Sequence, residues 1–338
     1  MQINGMRSVL RQATRKPKDK LNVLCSPVHE RVQSQYAKTG HNFYLVQTEN
    51  FKGWNSEYAP LPANFVLLDR NLGNDQIPKD VGFDLILSEN RFGQYQFFKQ
   101  LQKIYHLNII QAEHTAPYDT WSPIMRQQLR SFSGDINVFI TDWSRKQWGW
   151  DESNSIVIPH TVDTELFCPD ENIPKIKTIG AVVNDWINRD QPCGFNLWKR
   201  ITQGLPVKPM GATPGLSEAA KSLDELVNHY RACQVFVNTS LISPIPCALL
   251  EAAACGAGIV TTATCAIPEF FTDEYDAFVT NDESTMRRRL KQLLDSPKLC
   301  DEMGKRARET VISKCGLEQY LETWNKLFYQ AANTVYTG

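Results

Sequence analysis

The sequence predicts an α/β fold with two parallel sheets, and three observations carry that prediction. Short apolar runs rich in β-branched and aromatic residues alternate with helical patterns from residue 21 to the end. These runs are continuously apolar rather than alternating, as in strands covered on both faces. The alternation also breaks over 155–174 (SIVIPHTVDTELFCPDENIP), a proline-bearing stretch of little helical periodicity, and restarts at 175–183 (KIKTIGAVV). A chain of 338 residues suffices for two domains, each with its own core and with a cleft between them.

In order, the first half reads as strands at 21–26, 42–47, 64–69, 83–88, 107–112 and 136–141, with a helix over 91–106. The second half reads as strands at 175–183, 205–210, 234–240, 258–264 and 276–281. Helices are predicted there over 193–203, 222–233 and 246–256, and three amphipathic helices close the chain over 283–295, 298–314 and 317–332. The expected division is a basic segment 1–20, a first domain 21–165, a second domain 166–316 and a final helix, 317–338, that crosses back to the first domain.

Composition narrows the function. Thirty-six basic and thirty-seven acidic residues leave no net field to attract nucleic acid or membrane, so any such preference is local. The local exception is 1–20, where Arg7, Arg11, Arg15, Lys16, Lys18 and Lys20 face a single acid, Asp19, with no apolar docking patch beside them. Nine scattered cysteines without CxxC pairs or zinc-type spacing suit a reduced, cytoplasmic protein. No run of about 18 apolar residues offers a membrane span.

Chemistry is expected where parallel strands end and helices begin. The stretch 243–260, SPIPCALLEAAACGAGIV, has that context, and Pro246 suits a first helical position. The start of this helix (Pro246, Cys247, Ala248, Leu249) is a candidate phosphate site. Glu251, about one turn in, is placed either to accept from a ribose diol or to act as a structural acid within the helix. Cys247 has no histidine near it in sequence, which argues against a thiol nucleophile.

This segment resembles the signature of the retaining, two-domain GT-B glycosyltransferases of the large family 4 (group 1) type, whose donor helix carries E-x7-E. Leu250, Glu251, Ala252, Ala253, Ala254, Gly256 and Val260 match its "LEAMAxGxPVV" run, and 263–271 (ATCAIPEFF) resembles the following "xxGGxPExI". Ser243 stands where the family has its first glutamate. The stretch 157–169 (VIPHTVDTELFCP) is similar to the family's "VIPNGVDxxxFxP", and 111–117 (QAEHTAP) to the segment whose histidine faces the donor sugar. The likeness spans about 21–330, strongest over 155–270, in a compact form of phage type.

The resemblance implies GT-B architecture, with His114 and Glu251 lining one pocket. It implies transfer of a sugar from a nucleoside diphosphate sugar, UDP more often than GDP, with retention of configuration. His114 would contact the sugar and Arg189, the alternative being a surface residue paired with Asp190, would clamp the diphosphate. Glu251 would hold the ribose and Ser243 would stand near the sugar. No D-x-D motif is present, so neither metal nor cofactor is expected. A hydroxymethylated base in DNA is one acceptor that suits the basic start; polysaccharide and lipid-linked acceptors are others. A nucleotide-sugar binding protein without turnover and a sugar-nucleotide epimerase are the rival functions. The sequence leaves oligomeric state open.

Overall fold

The computed structural model describes residues 2–49, 53–89, 91 and 93–337. The chain forms two compact units, one made of residues up to Ile140, Arg145–Ile158 and Glu318 onward, the other of Thr141–Ser144 and Pro159–Leu317. The expected boundary at 165 thus lies inside the second unit.

The first unit begins with α1 (Gln2–Thr14), β1 (Asn22–Cys25), α2 (Glu30–Ala37), β2 (Asn42–Leu45), β3 (Phe65–Leu67) and a 3-10 stretch, Arg70–Gln76. It continues through β4 (Leu85–Ser88), α3 (Gln94–Tyr105), β5 (Ile109–Glu113), α4 (Pro123–Arg130), β6 (Ile136–Phe139), α5 (Asp142–Gln147, divided between the units after Ser144) and β7 (Ile156–Val157). Its sheet is parallel in the order β3-β2-β1-β4-β5-β6-β7, with Val23 opposite Phe43 on one side and Leu85 on the other. Strands β1, β4 and β5 are buried throughout, as their unbroken apolar runs require.

Several elements were not expected from the sequence, α1 and β7 among them. The basic start is largely the helix α1, and 156–157 of the linker pairs as β7 on β6. The helix α1 is held on its inner side. Gly5 lies so near α3 that a Cβ there would meet the Ile104 carbonyl at 2.5 Å, and Ser8 Oγ accepts the Phe83 N–H at 3.2 Å. Beneath it, the buried Asp84 carboxylate receives Arg11 Nε at 2.8 Å, Arg15 Nη1 at 2.5 Å and the Asn22 N–H at 2.7 Å.

The second unit contains β8 (Ile176–Val182), α6 (Asp190–Cys193), α7 (Phe195–Thr202), β9 (Val207–Met210), α8 (Leu223–Ala232) and β10 (Cys233–Asn238). Then come α9 (Cys247–Ala254), β11 (Gly258–Thr261), α10 (Ile267–Phe270), β12 (Phe278–Val279), α11 (Glu283–Asp295) and α12 (Pro297–Lys314). Its parallel sheet runs β12-β11-β10-β8-β9. Side-chain caps fix several helix starts: Ser222 accepts from the Glu225 N–H and Asp282 from that of Thr285. The core packs Ile179, Val235, Val237 and Val260 against Trp186, Trp198, Met286 and Leu290.

The last helix, α13 (Leu317–Asn333), belongs almost wholly to the first unit. Its Trp324 ring meets Tyr36 edge-on at 4.8 Å, Phe328 lies 6.0 Å from Phe43, and Asn108 Nδ2 donates to the Ala331 carbonyl.

Candidate functional site

Open parallel sheets bind ligands beyond the carboxyl ends of their strands, where the strand order reverses. In the second unit that reversal falls between β8 and β10. The segments leaving these strands carry five of the sequence-predicted residues, Arg189 after β8, and after β10 Ser243 and Pro246 in the loop with Cys247 and Ala248 in the first turn of α9.

The two loops are tied together. Leu241 and Ile242 both donate their N–H groups to the Pro192 carbonyl, and Thr239 Oγ1 donates to the Cys193 carbonyl. Gly194 has a left-handed φ of 64°, and a Cβ at that position would meet the Thr239 carbonyl at 2.1 Å. Only glycine permits this closeness. Arg189 lies on the exposed side of its loop, with Nη1 donating to the Asn184 carbonyl at 3.2 Å. Asp190 bonds Asn196 instead, through its N–H and Nδ2 at 2.7 Å, so its carboxylate anchors the start of α7.

At α9 the structure corrects one detail. Pro246 is the residue before the helix and Cys247 the first helical one, because Pro246 has extended backbone with ψ of 126°. No side chain caps this end, although the first N–H groups of any helix lack partners within it. Leu249 differs from its neighbours: its side chain is fully buried and its N–H is given to the Pro246 carbonyl at 3.1 Å, making it a packing residue. Ser243, Pro246, Cys247 and Ala248 are half-buried.

Glu251 is 5% exposed. The Tyr230 hydroxyl, from α8, donates to its Oε2 at 2.8 Å. Side chains on a helix lean toward its start, so this carboxylate is carried toward the mouth of α9. Sequence reasoning missed Tyr230. The available signal was a tyrosine on the inner face of a helix, since a buried phenol needs a partner.

Two thiols lie near these loops. Burial raises the pKa of Cys193 and that of Cys265, so neither favours the thiolate at neutral pH.

The first unit has its own reversal, between β1 and β4. Glu89 follows β4 and is buried, accepting from Gln33 Nε2, while Gln33 also donates to the Ser26 carbonyl beyond β1. His114 follows β5, with Nε2 3.3 Å from Glu89 Oε1. One residue earlier, Glu113 Oε2 pairs with Arg91 Nη1 at 2.8 Å, and Glu113 Oε1 accepts the N–H and hydroxyl of Thr115. The guanidinium of Arg91 sits 5.2 Å from the ring centres of Phe139 and Trp148. The sequence pointed to His114 but not to Glu89, Arg91 or Glu113, though both acids stand at the ends of predicted strands. His114 and Glu251 are therefore in different units.

Residues 219–310, which include α8, β10 and α9, match the profile of the family described as glycosyl transferases group 1. Sucrose-phosphate synthase from Thermosynechococcus elongatus superposes with a TM-score of 0.71 at 14% identity, covering 92% of this chain and 99% of that one. The Anabaena HepE protein, solved with UDP, gives 0.72 at 12% identity, covering 92% and 100%. The chain has the GT-B fold, and within it residues 219–310 match group 1 glycosyl transferases. The lipopolysaccharide outer core galactosyltransferase WaaB superposes on this GT-B chain at 0.64 and 10% identity, covering 92% and 99%. No curated protein matches its sequence.

Proposed function

We propose that this protein transfers a sugar from a nucleoside diphosphate sugar, UDP in preference to GDP, to an acceptor hydroxyl with retention of configuration. The observation that carries the reading is the uncapped start of α9 at the β8/β10 reversal, with a buried acid one turn in, inside the segment that matches group 1 glycosyl transferases. HepE, solved with UDP and with UDP-glucose, supports the choice of uridine.

The helix start and Arg189 would bind the diphosphate and stabilise the charge it gains on leaving. Glu251, steadied by Tyr230, would hold the ribose. Ser243 would meet the sugar with a neutral hydroxyl. His114 is the first unit's sugar contact. In front-face transfer the departing phosphate takes the acceptor's proton, so no protein nucleophile is required and catalysis rests on positioning. The proposal invokes no metal.

For the acceptor, a hydroxymethylated DNA base rested on the basic start. Two of those cations, Arg11 and Arg15, are bound to Asp84, which weakens the case for DNA and leaves a polysaccharide or lipid-linked hydroxyl as the alternative acceptor. A thermal-shift series with UDP, GDP and their sugars, followed by product analysis, tests the reading. Stabilisation by a UDP-sugar with transfer or slow donor hydrolysis is expected. Binding without turnover would make the protein a nucleotide-sugar binder, and isomerised donor would make it an epimerase.

A further inference from the structure

The helix α1 is satisfied on its inner side by Gly5, Ser8, Arg11 and Arg15, yet its outer side is apolar. Met6 is 73% exposed, Val9 47% and Leu10 61%, and Ala13 is exposed beside them. At helical spacing these four side chains fill one arc of about 100°. Such a row is not a core face awaiting its own fold, because the face that packs on α3 and over Asp84 is already engaged. Exposed cations accompany it: Arg7 on the helix, whose Nη1 donates to the Asp80 carbonyl at 3.3 Å, and Lys16, Lys18 and Lys20 just beyond its end, with Asp19 the one acid among residues 5–20.

We propose that α1 is a membrane-docking element that lies in the plane of an anionic lipid surface. Met6, Val9 and Leu10 enter the boundary between headgroups and acyl chains, and these lysines and Arg7 meet lipid phosphates. An apolar arc in a helix of low overall hydrophobicity, accompanied by cations, has the composition of an interfacial helix and not of a spanning one. No helix among the described residues is long and apolar enough to cross a membrane. A nucleic-acid backbone would be served by the cations but offers nothing to three exposed apolar side chains.

The test is sedimentation of the intact protein with vesicles of phosphatidylcholine alone and of phosphatidylcholine with about one third phosphatidylglycerol. Binding to the anionic vesicles only, weakening as salt rises, is expected. Met6→Ser with Leu10→Ser, and separately Lys16→Gln with Lys18→Gln and Lys20→Gln, should each lower the partition about tenfold or more. All these residues are exposed, so melting temperatures should stay within a few degrees of the parent. Three results would overturn the proposal. They are absence of binding to anionic vesicles, binding that the apolar pair does not affect, and a dimer in light scattering that the apolar pair converts to monomer. Duplex oligonucleotide binding that depends on the lysines but not on Met6 and Leu10 would likewise reassign the surface to nucleic acid.

Discussion

Glu251 shows how one side chain can answer two needs. A carboxylate in a helix of alanine and leucine is unstable without hydrogen bonds, and Tyr230 supplies one. If the acid also holds a ribose diol, Glu251→Gln keeps the size and removes the charge, an interaction worth roughly 1.5 to 3 kcal/mol. Calorimetry should then find UDP affinity lowered about ten- to a hundredfold. Tyr230→Phe leaves the charge in place but one donor short, so it should lower stability by about 1 kcal/mol in urea unfolding and affect UDP binding less. Ser243→Ala should reduce transfer and leave UDP affinity nearly intact. Were Glu251→Gln to bind UDP like the parent, the acid would be structural and the donor site would need to be sought elsewhere. The sequence revealed Glu251 but not its partner, because hydrogen bonding between α8 and α9 joins residues 21 apart that no local pattern links.

At the scale of elements, strands were the most legible part of the chain. Every predicted strand is present, since burial on both faces writes continuous apolar runs such as 83–88 and 234–240 into the sequence. Short pieces were not legible. The strand β7 is two residues long, and α4 carries one buried residue, Leu129, behind a Ser122 cap. The helix α1 was read as a basic tail because its apolar residues, Met6, Val9 and Leu10, gather only once the backbone is helical. Its anchor is testable. Asp84→Asn removes the charge that two arginines share, one of them only 4% exposed, so unfolding free energy should fall by roughly 3 to 5 kcal/mol. Gly194 is a second test, at the paired loops. Gly194→Ala demands a left-handed alanine against the Thr239 carbonyl, so it should displace the loop of Arg189 and cut transfer at least about tenfold, with a smaller effect on overall unfolding.

Across the whole molecule, each unit contains a buried histidine that resists protonation, His41 in the first and His229 in the second. His41 in the first unit accepts the Leu21 N–H at Nδ1 and is bordered by the Phe328 and Tyr329 rings; His229 in the second lies beside Tyr230 and Cys233. Burial lowers the pKa of both from 6.5 to about 4. Between these values the unfolded chain binds protons that the folded chain refuses, so stability rises with pH across that window and falls on acidification. The loss at pH 4 should reach on the order of 3 kcal/mol for each histidine. Carboxylates act lower. Asp282, which caps α11, has its pKa lowered from 3.8 to about 2 by bonds from Ser284 and Thr285, so its contribution is present above 3.8 and lost toward 2. A decline that begins near pH 6.5 therefore belongs to the histidines. Calorimetric scans from pH 7.5 to 4 should show both units losing stability in the same range, whether they melt together or separately. His229→Leu should flatten the decline of the second unit alone, and His41→Gln, which keeps an acceptor for the Leu21 N–H, that of the first. A parent protein whose melting is unchanged between pH 6.5 and 4.5 would show that water or a proton reaches these rings in the folded state.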